Sequence, residues 1–340
     1  MRPIISCNVS GGPPYSTVAQ SATNPYPNPL AANLNTTVKY LLSQSFAPST
    51  SVTYRRARAL YELLCVQRGQ NMPSYPLGIQ DAILFIAYLF QRNMAASTIA
   101  TYVAAMATIN RLHGGADIFN LFIVKKLLTG VHRIRSSVDT RLPIQLNLLH
   151  ALVESIPHVV PTPFMQALLK AAYLVCLHAF LRVGEIAAKS ASDTIRPLQL
   201  QDVALQPPVN PSSCLITLRQ SKNSTSSQSI HLTKRLHLPT AFCPVAAIAK
   251  YRLLRGSQEG MFFILGCKRP LTKCVFNTLL ARSISWVGLD PSRYKAHSFR
   301  IGAATTAALQ GVSDEKIQLL GRWKSGAFRK YIRIPQLSNV

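Results

Sequence analysis

Toward the end of the chain stand His297-Ser298-Phe299-Arg300, then Leu320-Gly321-Arg322-Trp323, then Tyr331-Ile332-Arg333. Together these residue types can bind and attack a phosphodiester without a metal. Guanidiniums are planar forks that match phosphate oxygens, His and Trp supply N–H donors, and Tyr supplies an oxygen that can attack phosphorus and later leave. A phenol has a reference pKa of about 10, so it attacks poorly at neutral pH unless nearby positive charge stabilises the phenolate. Arg322, Lys324, Arg329, Lys330 and Arg333 supply that charge close by in sequence. His297 and Arg300 lie three apart at what reads as a helix start, so they share a face and can converge on one anion. Trp323 equally suits a core, and Tyr331 an amphipathic edge.

Two more candidates stand upstream. Arg182 follows the apolar run Ala171 to Leu181 and precedes Val183-Gly184. A surface arginine is unexpected there, and a partly buried one needs a partner. Glu185, three residues on, can be that partner or can orient the arginine toward a ligand. Lys222 sits in the polar stretch Arg219 to Ser224, where a solvated lysine is the ordinary reading. A lysine carried on a hairpin can also enter a groove and protonate a leaving oxygen.

The chain has 340 residues, 48% of them apolar, enough for about two domains with a core in each. Thirty-seven Lys and Arg against twelve Asp and Glu give a formal charge of +25, a self-repulsion that a polyanion would offset. Nucleic acid is the leading partner. The basic residues are spread through apolar segments rather than gathered in a block or along one amphipathic helix, which argues against a membrane-surface protein. The carboxylates are dispersed, and only Asp314 and Glu315 are close neighbours. That supply suits a two-metal nuclease poorly, so no metal and no cofactor is expected. Seven widely spaced cysteines without a CxxC pair read as reduced thiols. No apolar run is long enough to span a bilayer, and no secretory signal is visible.

Residues 1–35 hold Pro3, Pro13, Pro14, Pro25, Pro27 and Pro29 among Ser, Asn and Gly, which predicts a flexible arm. A helical unit is expected over 36–138. Its helices are a first one capped by Ser51 and stopped by Gly69, a second over about 79–91, a third from a Ser97 cap to Leu112, and a fourth over about 118–128. The polar, basic stretch 131–141 reads as a linker. In 139–340, helices are expected at about 145–155, 164–181, 244–255, 272–286, 298–309 and 314–320. Leu215 to Leu218 and Ile230 to Leu232 flank a turn-rich segment and predict a β-hairpin or small sheet with Lys222 near its tip. The fold class is therefore mainly α with a small antiparallel sheet.

In order along the chain, Arg182, Lys222, His297-Ser-Phe-Arg300, Leu-Gly-Arg-Trp323 and Tyr331 resemble the tyrosine recombinase (phage-integrase-like) family. The wording His-Ser-Phe-Arg-Ile-Gly-Ala-Ala-Thr-Thr is most similar to recombinases of eukaryotic mobile elements of the DIRS-type or Crypton kind. The resemblance implies a core-binding (SAM-like) DNA-binding domain at 36–138 and a catalytic domain at 139–340. It implies site-specific DNA recombination and integration through a covalent 3′-phosphotyrosine, independent of metal and ATP. Tyr331 would be the nucleophile, and Arg182 and Arg300 would hold the non-bridging oxygens. His297 and Trp323 would stabilise the pentacoordinate state, Lys222 would protonate the leaving 5′ oxygen, and Glu185 would orient the site. Trp323 lies one residue nearer to Tyr331 than is usual in the family, which makes Arg322 its rival. Expected partners are double-stranded DNA and further copies of the chain, as a dimer or tetramer, with no membrane. The expected location is the nucleus for a eukaryotic host and the cytoplasm otherwise. Arg55, Arg56, Arg58, Lys125, Lys126, Arg133 and Arg135 are candidate DNA contacts, each also readable as part of a solvated basic face. A type IB topoisomerase-like activity and a domesticated DNA-binding protein without catalysis are the competing readings.

Overall fold

The computed structural model describes residues 34–70, 72–135, 139–193, 196–219, 227–234 and 239–334. The expected flexible arm up to residue 33 and the candidate Lys222 lie outside them. Contacts within the chain divide it into two compact units, 1–138 and 139–340.

The first unit contains α1 (Leu34–Gln44), α2 (Pro48–Gln67), α3 (Ile79–Gln91), α4 (Ala96–Leu112), a short 3₁₀ turn at Ile118–Asn120, and α5 (Phe122–Arg135). Its core is made where apolar residues recur at helical spacing: Ala57, Tyr61, Leu64 and Cys65 of α2 meet Phe85, Ile86 and Leu89, Ile99, Val103 and Met106, and Val124 and Val131. Two helix starts differ from expectation. Pro48 opens α2 at its first position, where a fixed φ and a missing N–H cost nothing, and Ser51 lies inside with its hydroxyl bonded back to the Ala47 carbonyl. Ser97 likewise falls within the first turn of α4, which Ala95 precedes. The linker expected to begin at 131 is helical through Arg135, because Val131 is buried and the basic His132, Arg133 and Arg135 suit the negative end of the helix dipole.

The second unit runs α6 (Leu146–Val159), α7 (Pro163–His178), α8 (Val183–Ile186), strands β1 (Val203–Gln206), β2 (Ser213–Leu218) and β3 (Gln228–Thr233), then α9 (Pro244–Arg255), α10 (Lys273–Trp286), α11 (His297–Leu309), α12 (Asp314–Leu320) and a 3₁₀ segment, Gly326–Tyr331. The sheet is antiparallel in the order β1-β2-β3, with Ile216 opposite both Val203 and Ile230. Cys214, Ile216 and Leu218 alternate inward from β2. The hairpin of β2 and β3 was legible; β1, only four residues long, adds a strand that sequence periodicity did not separate from its surroundings. Helix α7 is buried without a break from Ala171 to Leu177 and packs against α6, α9 and α11, so it forms the centre of the unit.

Helix α11 carries His297 and Arg300 and is covered by the extended segment leading into α6. The Ile144 N–H donates to the Ser298 carbonyl at 3.0 Å, and Leu142 N–H donates to the Arg293 carbonyl at 2.8 Å. A Cβ on Gly302 would stand 1.7 Å from the Ile144 carbonyl oxygen, backbone that cannot swing aside. Gly302→Ala should therefore push this segment off α11 at a cost of about 1–3 kcal/mol or more. Chemical denaturation checks this: a midpoint equal to that of the wild type would show that the two backbones are not in this contact.

Candidate active site

The site is built where two helix ends face each other. After α7, Phe180 takes a left-handed φ of 51°, and Leu181 N–H and Phe180 N–H return to the carbonyls of Cys176 and Leu177. After α12, Arg322 does the same at φ 57°, with Trp323 N–H and Arg322 N–H bonded to the carbonyls of Gln318 and Leu319. Both are Schellman turns with a non-glycine residue in the position that favours glycine. The turn at Phe180 is why the helix expected through Leu181 stops at His178. Each left-handed residue costs roughly 1–2 kcal/mol, so contacts elsewhere must offset it.

Arginines supply those contacts. Arg300, 1% exposed, bridges the two turns by donating from Nη1 to the Phe180 carbonyl and from Nη2 to the Gly321 carbonyl. Arg322 donates to the carbonyls of Ala179 and Phe180, both at 3.1 Å, and to Glu185 Oε2 at 3.0 Å. Glu185 is shared. Arg182 precedes α8, and its backbone N–H donates to Glu185 Oε2 at 2.7 Å while its Nη1 donates to Oε1 at 3.1 Å. Three guanidiniums against one carboxylate leave an excess of two positive charges. Burial, reinforced by Arg182 and Arg322, lowers Arg300 to about 9, still protonated at neutral pH; burial lowers Arg322 as well. The Nε atoms of Arg300 and Arg322 are buried donors with no partner among the described residues, and the side chain of Arg182 is 25% exposed. The cluster thus has donors and charge to spare for an anion.

Three rings stand beside it. Tyr331 lies 5.0 Å from His297 and 5.1 Å from Trp323, centroid to centroid. The Arg300 guanidinium lies 4.1 Å over the Trp323 ring and 5.9 Å from that of Tyr331. Trp323 reaches this place because Gly321 has no side chain: a Cβ there would stand 1.5 Å from the indole. Trp323 therefore faces Tyr331, while the Arg322 guanidinium is turned to Glu185 and the α7 carbonyls. His297 is held down to about 4, first by burial and then by the charges of Arg141 and Arg300, so its imidazole is neutral at neutral pH.

The structure thus gathers Arg182, Glu185, His297, Arg300, Trp323 and Tyr331. Lys222 lies outside the described residues. In the first unit Arg55, Arg56, Lys125, Lys126 and Arg133 are exposed. Arg58 pairs with Glu62 at 2.8 Å, and Arg135 serves the fold, stacked 3.8 Å over Phe90 and donating to the Met94 carbonyl and Asn93. Four residues beside the rings or the arginine cluster were not singled out from sequence for the site. Asp139 and Arg141 read as linker, Thr305 as an ordinary helix position, and Lys273 as a helix start. The Lys273 ammonium lies 3.1 Å from where a Cβ on Gly184 would be, beside the Arg182–Glu185 pair.

Arg322→Gly should retain about 1 kcal/mol more stability than Arg322→Ala, since both lose the Glu185 contact but only glycine relieves the left-handed backbone. Denaturant midpoints of the two variants decide it, and equal midpoints would count against strain at this turn. A second expectation concerns pH. An unfolded histidine titrates near 6.5, so between there and about 4 the unfolded chain binds the His297 proton and the folded chain does not. This contribution to stability is complete above that window and is lost as pH falls through it. His297→Gln should flatten the slope of stability against pH over the same window, as read by urea midpoints.

Neither a protein-family model nor a curated protein matches the chain. Solved structures do. The Tn1549 transposon integrase in complex with transposon right end DNA aligns with a TM-score of 0.58 at 12% identity, over 85% of this chain and 90% of that one. A lambda integrase dimer bound to a COC′ core site aligns with a TM-score of 0.55 at 14% identity, over 88% and 76%. The XerH site-specific recombinase bound to a palindromic difH substrate aligns at 0.51 and 14%, over 76% and 67%. These neighbours are tyrosine recombinases, and the mainly helical chain with its small antiparallel sheet has their fold.

Proposed function

We propose that this chain is a tyrosine recombinase that cuts and rejoins double-stranded DNA through a covalent phosphotyrosine at Tyr331, in the service of an integrating mobile element. The observation that carries the reading is the arginine cluster with two surplus positive charges and a partly exposed Arg182 guanidinium, set against the Tyr331, His297 and Trp323 rings. Fixed donors aimed at developing charge stabilise a phosphoryl transition state without reorganising during the reaction.

In this mechanism Tyr331 Oη attacks the scissile phosphorus and the bond to the 5′ oxygen breaks. Neutral His297 accepts the phenol proton, and Lys222 donates one to the departing oxygen. Arg182, which is partly exposed, donates to the non-bridging oxygens, Arg300 adds its positive charge from beneath, and Trp323 packs against Arg300. Glu185 keeps Arg182 and Arg322 oriented. The phosphotyrosine conserves the energy of the broken bond, so a 5′ hydroxyl from another strand can reseal it by the reverse path. Joining two sites requires more than one copy on DNA. The first unit, with Arg55, Arg56, Lys125, Lys126 and Arg133 exposed, contributes phosphate contacts that position the duplex.

A DNA with a nick beside the cleavage position lets the leaving fragment diffuse away and traps the adduct. Wild-type protein should form it, Tyr331→Phe should not, and Arg182→Ala should form it about 10²–10³ times more slowly, as for the loss of one fixed donor. An adduct on the Phe variant would remove Tyr331 from the role. Relaxation of supercoils at arbitrary sites without exchange between two sites would select a topoisomerase instead. Salt-sensitive binding without any adduct would select a DNA-binding protein without catalysis.

A further inference from the structure

Tyr331 ends a single 3₁₀ segment, Gly326–Tyr331, a type of turn with little stability of its own. On its N-terminal side Phe328 anchors it, 1% exposed in the core. On its C-terminal side the anchor is polar. Thr305 Oγ1, on buried α11, donates to the Tyr331 carbonyl at 3.1 Å and accepts from Arg333 N–H at 3.0 Å. The Arg333 guanidinium then reaches across to the beginning of the second unit. It donates to Asp139 Oδ2 at 2.5 Å, to the Asp139 carbonyl at 3.1 Å and to the Arg141 carbonyl.

Asp139 is itself held. Arg141 donates from Nε to Oδ1 at 2.7 Å, from Nη2 to Oδ2 at 2.8 Å, and from its backbone N–H to Oδ1 at 3.2 Å. One carboxylate therefore joins two guanidiniums, and hydrogen bonds from both hold it well below the usual carboxylate range. The segment that follows is fixed by the Ile144 hydrogen bond to Ser298 of α11 and the Leu142 hydrogen bond to Arg293, just ahead of that helix. An isolated exposed ion pair would contribute little, but this is a bidentate network tied to backbone at both ends.

We infer that Asp139 and Arg333, with Thr305, form a latch that positions Tyr331 for attack. This rests on the reading of Tyr331 as nucleophile and adds residues to it. Asp139 and Arg333 are positioning residues: they act through the backbone on the C-terminal side of the tyrosine. A nucleophile displaced by about 1 Å can lose on the order of 10²-fold in rate, so the latch bears on the chemical step rather than on DNA affinity.

Asp139→Asn separates the two. Removing a negative charge should leave DNA binding unchanged or tighter, because phosphate repulsion falls. Single-turnover adduct formation on saturating nicked DNA should slow by about tenfold or more. A purely electrostatic role in binding would move affinity and rate in the same direction. Thr305→Val, which removes both hydroxyl bonds, should slow the same step, whereas Thr305→Ser should stay near wild type. Arg333→Lys should fall between wild type and Arg333→Ala. If Asp139→Asn does not fold, as judged by its melting curve, the Thr305 pair decides alone. Wild-type rates in the variants that fold would overturn the latch while leaving the nucleophile intact. A wild-type protein that forms no adduct on any nicked substrate would overturn both.

Discussion

Like charges packed together in a protein interior repel, and the second unit is arranged around that difficulty. Arg182, Arg300 and Arg322 are held together by one carboxylate, Glu185, and by carbonyl groups of two helix ends. A helix C-terminus carries partial negative charge on its unpaired carbonyls. The ends of α7 and α12 place theirs where guanidiniums can use them. Two of the arginines then repair defects of the backbone. Arg322 sits in a left-handed conformation and binds the carbonyls of the other turn, and Arg300 joins the turns directly. Surplus positive charge and tertiary structure thus draw on the same groups, which makes the arrangement of the cluster a property of the fold.

The electrostatics divide labour among side chains of similar type. Arg300 and Arg322 each turn donors to two backbone carbonyls, whereas Arg182 keeps a partly exposed guanidinium. His297 is neutral because it is half-buried among cations, so it can receive a proton next to groups that cannot. Trp323 has a double employment. It is core by burial, edge-on to Phe180 and near Phe328, yet it also packs against both Arg300 and Tyr331.

Much of this was legible in the residues. Arg182 and Glu185 were readable as a pair because i,i+3 spacing after an apolar run brings them together, and they are bonded as expected. Helices α9 and α12 begin and end where their caps and periodicity indicate. Other features had no local signal. The role of Arg322 depends on a positive φ, which its neighbours in sequence do not announce. Asp139 and Arg333 are 194 positions apart, and nothing in the polar stretch 131–141 distinguishes an ion-pair anchor from a solvated linker. Helix starts failed at Ser51 and Ser97 because proline and alanine positions set the first turns and left the serines without a capping role.

The contact between Gly302 and Ile144 bears on where the second unit begins. By its helices the unit starts at Leu146, and a fragment cut there would look complete. It would nevertheless lack the strip that lies against α11 with no room for a methyl group between them. Helix α11 would then present a bare glycine-containing groove to water beneath the candidate site residues His297 and Arg300. The extended residues ahead of α6 belong to the second unit as a structural layer, although they have no secondary structure of their own.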